Sequence, residues 1–198
     1  MILSPSRLQA FRTALEDAAS STAANLQESG SFPWDLRVPR AALCYLSDFP
    51  EHAVFCGEEM MASVLVSHRG KLLGTSVLSF EPHHALELIR SLGAEGDPLD
   101  GFRRAGARLL EGMLGWFGAA GGPLGELGDA TLEERSLVAT VLGTHPPPST
   151  MVVSLELGFV SAGQAFPAYL YLLLDAKLLQ SALEALEKSS GPSGAALD

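Results

Sequence analysis

Five histidines, two cysteines and one glycine-rich stretch are the parts of this 198-residue chain whose side chains or backbone could do chemistry. A helical metal site needs ligands at three- or four-residue spacing on one face. His52, His68, His83, His84 and His145 offer no such pair with another His or Cys on one predicted helix. His83 and His84 are adjacent at a predicted helix start, so their side chains should leave the axis about 100° apart and not share an ion. No metal site and no cofactor are expected. Cys44 and Cys56 fall in or beside predicted strands, where buried thiols are usually inert, and a chain with a full core needs no disulfide. Free thiols in a reducing compartment are the expectation. The stretch Gly118-Ala119-Ala120-Gly121-Gly122-Pro123-Leu124-Gly125 follows a helix where a phosphate cradle would follow a strand, and no Gly-Lys-Ser/Thr is present. It reads as a connection. With no G-x-S-x-G elbow either, triad-type hydrolysis has no support.

Composition narrows the field further. A chain with 47% hydrophobic and 18% charged residues can bury a core, which excludes disorder as the main state. The net charge of -10 and the lack of any Lys/Arg run exclude a nucleic-acid binder, which needs a cationic face. The most apolar tract, Met151 to Leu174, is interrupted by Glu156, Gln164 and Pro167, so no membrane span is expected. The opening residues lack the basic-then-apolar order of a secretory signal, and a cytoplasmic protein is the expectation.

The elements that must position any site follow from periodicity. Leu8, Phe11, Leu15, Ala18, Thr22 and Leu26 recur at three- and four-residue steps, predicting a helix over residues 6–28. Strands are predicted around Leu36 to Tyr45 and Ala53 to Cys56, and a hairpin from Met61 to Ser67 and Leu72 to Phe80 about Gly70. Glu81-Pro82 then opens a helix whose Ala85, Leu88, Ile89 and Leu92 share a face. The order recurs: a long helix from Leu99 to Phe117, strands at Arg135 to Gly143, Met151 to Val160 and Ala165 to Leu174, and a last helix from Asp175 to Lys188. Trp116 is assigned to the core, while Trp34 in its Pro-flanked loop is left open.

The repetition is in register. Leu15-Glu16 and Leu110-Glu111 are 95 residues apart, and the junction acids Glu81 and Asp175 are 94 apart. A duplication predicts an α+β domain over residues 1–189 with pseudo-two-fold symmetry, its halves at about 6–93 and 97–188 and a frayed tail at 190–198. Antiparallel strands would be covered by the two long helices, with both sheet faces covered or one edge meeting another subunit.

The helix ending Ala23-Ala24-Asn25-Leu26-Gln27-Glu28-Ser29-Gly30, the Val38-Pro39 strand and the hairpin running to Leu78-Ser79-Phe80-Glu81-Pro82 resemble the CheC/CheX/FliY family of chemotaxis proteins. The match continues through Ala85 to Leu92 and Phe102 to Phe117 and covers roughly Leu8 to Leu186, in layout more than in any rare motif. The resemblance implies a duplicated α/β-layered fold, and dephosphorylation of a CheY-type response regulator by a glutamate followed three positions later by an asparagine on the long helices. Residues three apart share a helical face, so the carboxylate can hold a partner lysine while the amide orients water for in-line attack.

Carried over, that pattern puts the glutamates at Glu16 and Glu111 and the asparagines at Ala19 and Leu114. Alanine and leucine have no donor or acceptor, so the attack step lacks its positioning group. Asn25, nine residues after Glu16, lies on the opposite side of the helix and reads as a surface residue near its end. The sequence therefore predicts a protein that binds a receiver domain near Glu16 and Glu111 with a degenerate phosphatase motif. The alternatives are an active phosphatase with its amide elsewhere, and a dimeric scaffold with Tyr169 and Tyr171 exposed along a strand edge.

Overall fold

The computed structural model describes residues 4–28, 32–69, 74–91, 97–119, 126–161 and 163–190. The long helix α1 (Pro5–Glu28) opens on a proline, whose missing N–H costs nothing in a first turn, and buries Phe11, Leu15, Ala18, Ala19, Thr22 and Leu26. The chain then extends into β1 (Asp35–Tyr45), makes a 3-10 turn at Leu46–Asp48 and the one-turn helix α2 (Phe49–His52), and enters the hairpin β2 (Met60–Arg69) and β3 (Gly74–Phe80). Helix α3 (Pro82–Ser91) follows directly.

The second half begins at α4 (Pro98–Met113), whose N-cap Asp97 accepts the Leu99 N–H at 3.1 Å. A break at Leu114 leads to the short α5 (Gly115–Ala119). Strand β4 (Glu126–Ser136), helix α6 (Leu137–Gly143), the hairpin β5 (Thr150–Ser161) and β6 (Gln164–Asp175), and helix α7 (Ala176–Ser190) complete the chain. The β5–β6 turn is tight, pairing Ser161 with Gln164, and Gly163 takes a φ of 86° there.

All six strands form one antiparallel sheet in the order β1-β5-β6-β3-β2-β4. That order is its own mirror under exchange of halves: β1 answers β4, β5 answers β2, and β6 answers β3. Each half lends its first strand to the other half's hairpin. The two edge strands even share a defect, since an extra residue bulges from β1 between Arg37 and Arg40 and from β4 between Leu127 and Ala130. Bulges twist an edge away from unwanted pairing, and Pro39 sits in the first of them without interrupting a ladder bond. The α+β fold with pseudo-two-fold symmetry follows from this topology.

Helices α1, α3, α4, α5 and α7 cover one sheet face, where Leu15, Leu78, Phe80, Leu109, Leu110 and Phe159 are fully buried. Full burial of each such side chain contributes about 1.5–3 kcal/mol. The small helices α2 and α6 close the opposite face over Phe49, Met61, Val77, Leu137, Val141 and Tyr171. Both faces are thus covered, which explains the near-continuous apolar run of β6.

Four expectations from the sequence are corrected. Residues 135–143 split into the end of β4 and the helix α6, because Ser136 caps a helix by accepting the Ala139 N–H, and Leu137, Thr140 and Val141 recur at helical spacing. Ala53 to Cys56 is an extended crossing and not a strand: the Val54 N–H donates to Ser154 Oγ and the Phe55 carbonyl accepts the Tyr171 hydroxyl at 2.6 Å. The Leu99-to-Phe117 helix is two helices. Tyr169 and Tyr171 are 7% and 0% exposed on a central strand, so they offer no strand-edge surface for a scaffold. Cys44 and Cys56 are unpaired, and Trp34 joins Trp116 in the core. The Gly70 turn, the stretch 120–125 and the tail 191–198 lie outside the described residues.

Candidate functional site

Helices α1 and α4 lie side by side and antiparallel. Phe11 packs edge-on against Trp116 at 5.1 Å, just past the end of α4, Thr22 meets Gly112, and Asn25 and Leu26 share a hollow with Arg108. The approach is close because the facing residues are small. A Cβ on Gly112 would collide with the Thr22 hydroxyl oxygen and stand 2.6 Å from Thr22 Cγ2, and that hydroxyl is held in place by donating to the Ala18 carbonyl at 2.6 Å. Ala10, Ala14 and Ala18 continue the same stripe of α1. Small side chains leave a groove of about 500 Å³ between the helices, floored by alanine and glycine.

Polar side chains line the rim. Asp17 and Asn25 come from α1, Arg108 and Glu111 from α4, and all four are exposed. Among the described residues none of the four is committed to an ion pair or hydrogen bond. Glu111, singled out by the sequence, therefore does open onto a groove. Its counterpart does not: Glu16 lies outside the groove, exposed, with its carboxylate taking the Arg12 Nε–H at 2.9 Å one turn away. The acid that shares the groove with Glu111 is Asp17. Asn25, read from the sequence as a surface residue, is indeed exposed, but it faces the same hollow as Glu111.

The positions one turn after the two glutamates point inward. Ala19 and Leu114 are both 0% exposed and belong to the main core. No side chain at either place could reach a docked protein.

A second cluster forms at the start of α3. Glu81 is its N-cap, with its carbonyl accepting the Ala85 N–H at 3.0 Å. The His83 Nδ1 lies 3.6 Å from Glu81 Oε2, and the His83 and His84 ring centroids are 3.8 Å apart. Sequence geometry predicted two diverging rings. They converge because His84 lies flat on Phe166 of β6 at 4.8 Å and 17°, while His83 turns back toward the N-cap carboxylate. Phe166 is itself stacked on Phe159 and braced edge-on by Trp34, whose Nε1–H donates to Ser91 Oγ of α3. Burial, and then His83, hold the His84 imidazole below its ordinary pKa.

A duplicated antiparallel sheet with paired long helices on one face defines the structural class, and solved proteins of that class are similar to the chain throughout. FliY of Thermotoga maritima superposes with a TM-score of 0.70 at 17% identity, covering 95% of this chain and 99% of that one. FliM from H. pylori in its complex with SpeE superposes at 0.64 with 12% identity, covering 94% and 97%, and FliM in its complex with FliG at 0.61 with 13% identity, covering 92% and 100%. No family model matches the sequence, and no curated protein matches it either. The chain thus has the fold of the CheC/CheX/FliY proteins that its sequence resembles, and the FliM middle domain shares it. Among the described residues no helix is long and apolar enough to cross a membrane.

Proposed function

We propose that the chain is a cytoplasmic chemotaxis-type signalling protein that docks the receiver domain of a CheY-type response regulator on its α1–α4 face, with little or no dephosphorylation. The observation that carries this reading is the burial of Ala19 and Leu114 one turn beyond the exposed Glu16 and Glu111. An exposed carboxylate can hold a partner's lysine, but an interior alanine or leucine cannot orient water. The shared fold with FliY, and the solved FliM complexes with protein partners, agree with a docking role for this architecture.

Titration of a CheY-type receiver domain against the chain, by calorimetry, tests the reading. Loss of a charge-assisted contact is about 1.5–3 kcal/mol, so Glu111→Ala should weaken binding about 10- to 100-fold. Glu16→Ala should do less, because Glu16 stands outside the groove beside Arg12. Equal affinity for wild type and both variants refutes this docking face.

One observation favours a second reading, an active phosphatase. Asn25 of α1 shares the Glu111 hollow, so the amide missing from α4 has a candidate on the neighbouring helix. Release of phosphate from an acyl-phosphorylated receiver domain separates the two. Acceleration by wild type that is lost in both Asn25→Ala and Glu111→Ala supports catalysis and overturns the first reading.

A further inference from the structure

We propose that Glu81, His83 and His84 form a binding site for a borderline divalent transition-metal ion of the zinc or nickel class at the start of α3. Among the described residues this is the one group of three candidate ligands whose donor atoms all lie within 4.8 Å of one another. The set is two imidazoles and one carboxylate, the donor chemistry that such ions take up.

The geometry is close to what an ion requires. Bonds of about 2.0–2.2 Å space tetrahedral ligands roughly 3.3–3.6 Å apart. The His83 Nδ1 and Glu81 Oε2 are already 3.6 Å apart. His83 is exposed and free to rotate through the remaining adjustment. His84 is the opposite: its ring is held flat on Phe166, so one ligand is fixed and the others close around it.

A second observation points to a ligand. His84 Nδ1 is buried and has no hydrogen-bond partner among the described residues, although buried polar atoms are normally paired. The carboxylates of Glu81 and Glu87 both act on the His84 imidazole. Three protein donors leave a coordination position open, and the ion would tie the N-cap residue to the first turn of α3.

The test is calorimetric titration of the untagged, chelator-stripped full-length chain with zinc chloride and nickel chloride, with magnesium chloride as the hard-cation control. One equivalent of zinc or nickel should bind, and magnesium should not. Zinc should also raise the thermal midpoint. His83→Ala and Glu81→Gln should each weaken binding at least tenfold, and His84→Phe, which preserves the stack on Phe166, should abolish it. If His84→Phe does not fold, the exposed His83→Ala decides. No binding by the wild type, or undiminished affinity in His83→Ala, overturns the site.

Discussion

Lowering the pH should destabilise this protein through one histidine. His68 sits on β2 at 3% exposure, with its Nε2 2.7 Å from Ser76 Oγ on β3 and its Nδ1 unpartnered. Burial pushes the imidazole down to about 4. An unfolded chain binds the same proton at about 6.5. The folded pKa is thus the lower of the two, so as pH falls the unfolded state takes up the proton first. The stability is complete above pH 6.5, declines by about 1.4 kcal/mol per pH unit below it, and levels off below about 4. Across the full shift the loss approaches about 3.4 kcal/mol, and between pH 7 and pH 5 it is about 2 kcal/mol. Against a typical domain stability of about 5–15 kcal/mol that is a large share. Urea unfolding at both pH values, followed by fluorescence of the buried Trp34 and Trp116, measures it. His68→Gln keeps a partner for Ser76 but cannot titrate, so its stability should fall by about 2 kcal/mol less over the same interval, with all other groups cancelling. Equal pH dependence in wild type and variant, or an NMR titration of His68 near 6.5 in the folded protein, refutes the reasoning.

Other expectations concern packing and thiols. At Gly106 a new Cβ would stand 2.5 Å from Val64 Cγ2 and 2.9 Å from its Cβ, with a stiff β-branched residue beneath it. Overpacking of about 1–3 kcal/mol should outweigh the gain of up to about 1 kcal/mol in helix propensity, so Gly106→Ala should lower the urea midpoint. At Gly115 nothing lies within 4 Å, and Gly115→Ala should be neutral or stabilising by up to about 1 kcal/mol in the same assay. Gly112→Ala would meet Thr22 and force α1 from α4, so calorimetry should find weaker receiver-domain binding with the rim residues untouched. Burial pushes the Cys44 thiol up to about 11 and raises that of Cys56, so an aromatic disulfide reagent should label the native protein slowly at pH 8 and label both thiols rapidly in urea.

The repeat was legible because its signals are local. Period and capping identify α1, α3 and α7, and the 94- and 95-residue spacings align the halves without any contact information. What misled was equally physical. Val138 and Val141 favour strands by side-chain type, yet the Ser136 cap and the helical spacing of Leu137 and Val141 prevail in α6. The extended run at Ala53 to Cys56 finds its backbone partners in side chains of β5 and β6, which no local pattern reveals. Glu111 was visible as an acid on an amphipathic helix. Asp17 and Asn25 were not visible as its groove partners, because that depends on which side of α1 faces α4, and Thr22 against Gly112 settles it across 90 residues of sequence.

The duplication also supplies an internal control on both sites. The acid at the hairpin-to-helix junction is used differently in the two halves: Asp175 Oδ1 accepts the Lys177 and Leu178 N–H groups at the start of α7, whereas Glu81 caps α3 through its backbone carbonyl and its carboxylate lies beside His83. In the second half an acid there is accounted for by folding alone. The next positions differ, since Lys177 and Leu178 stand where the first half has His83 and His84. A cation-repelling lysine and an apolar leucine offer a cation no site, so the proposed metal site belongs to one half only. The long helices diverge in the same sense. Glu16 and Glu111 are matched by register, but one is engaged beside Arg12 and the other opens on the groove. The scaffold is symmetric while its exposed chemistry is not, and a receiver domain docking on it should occupy one orientation at a stoichiometry of one.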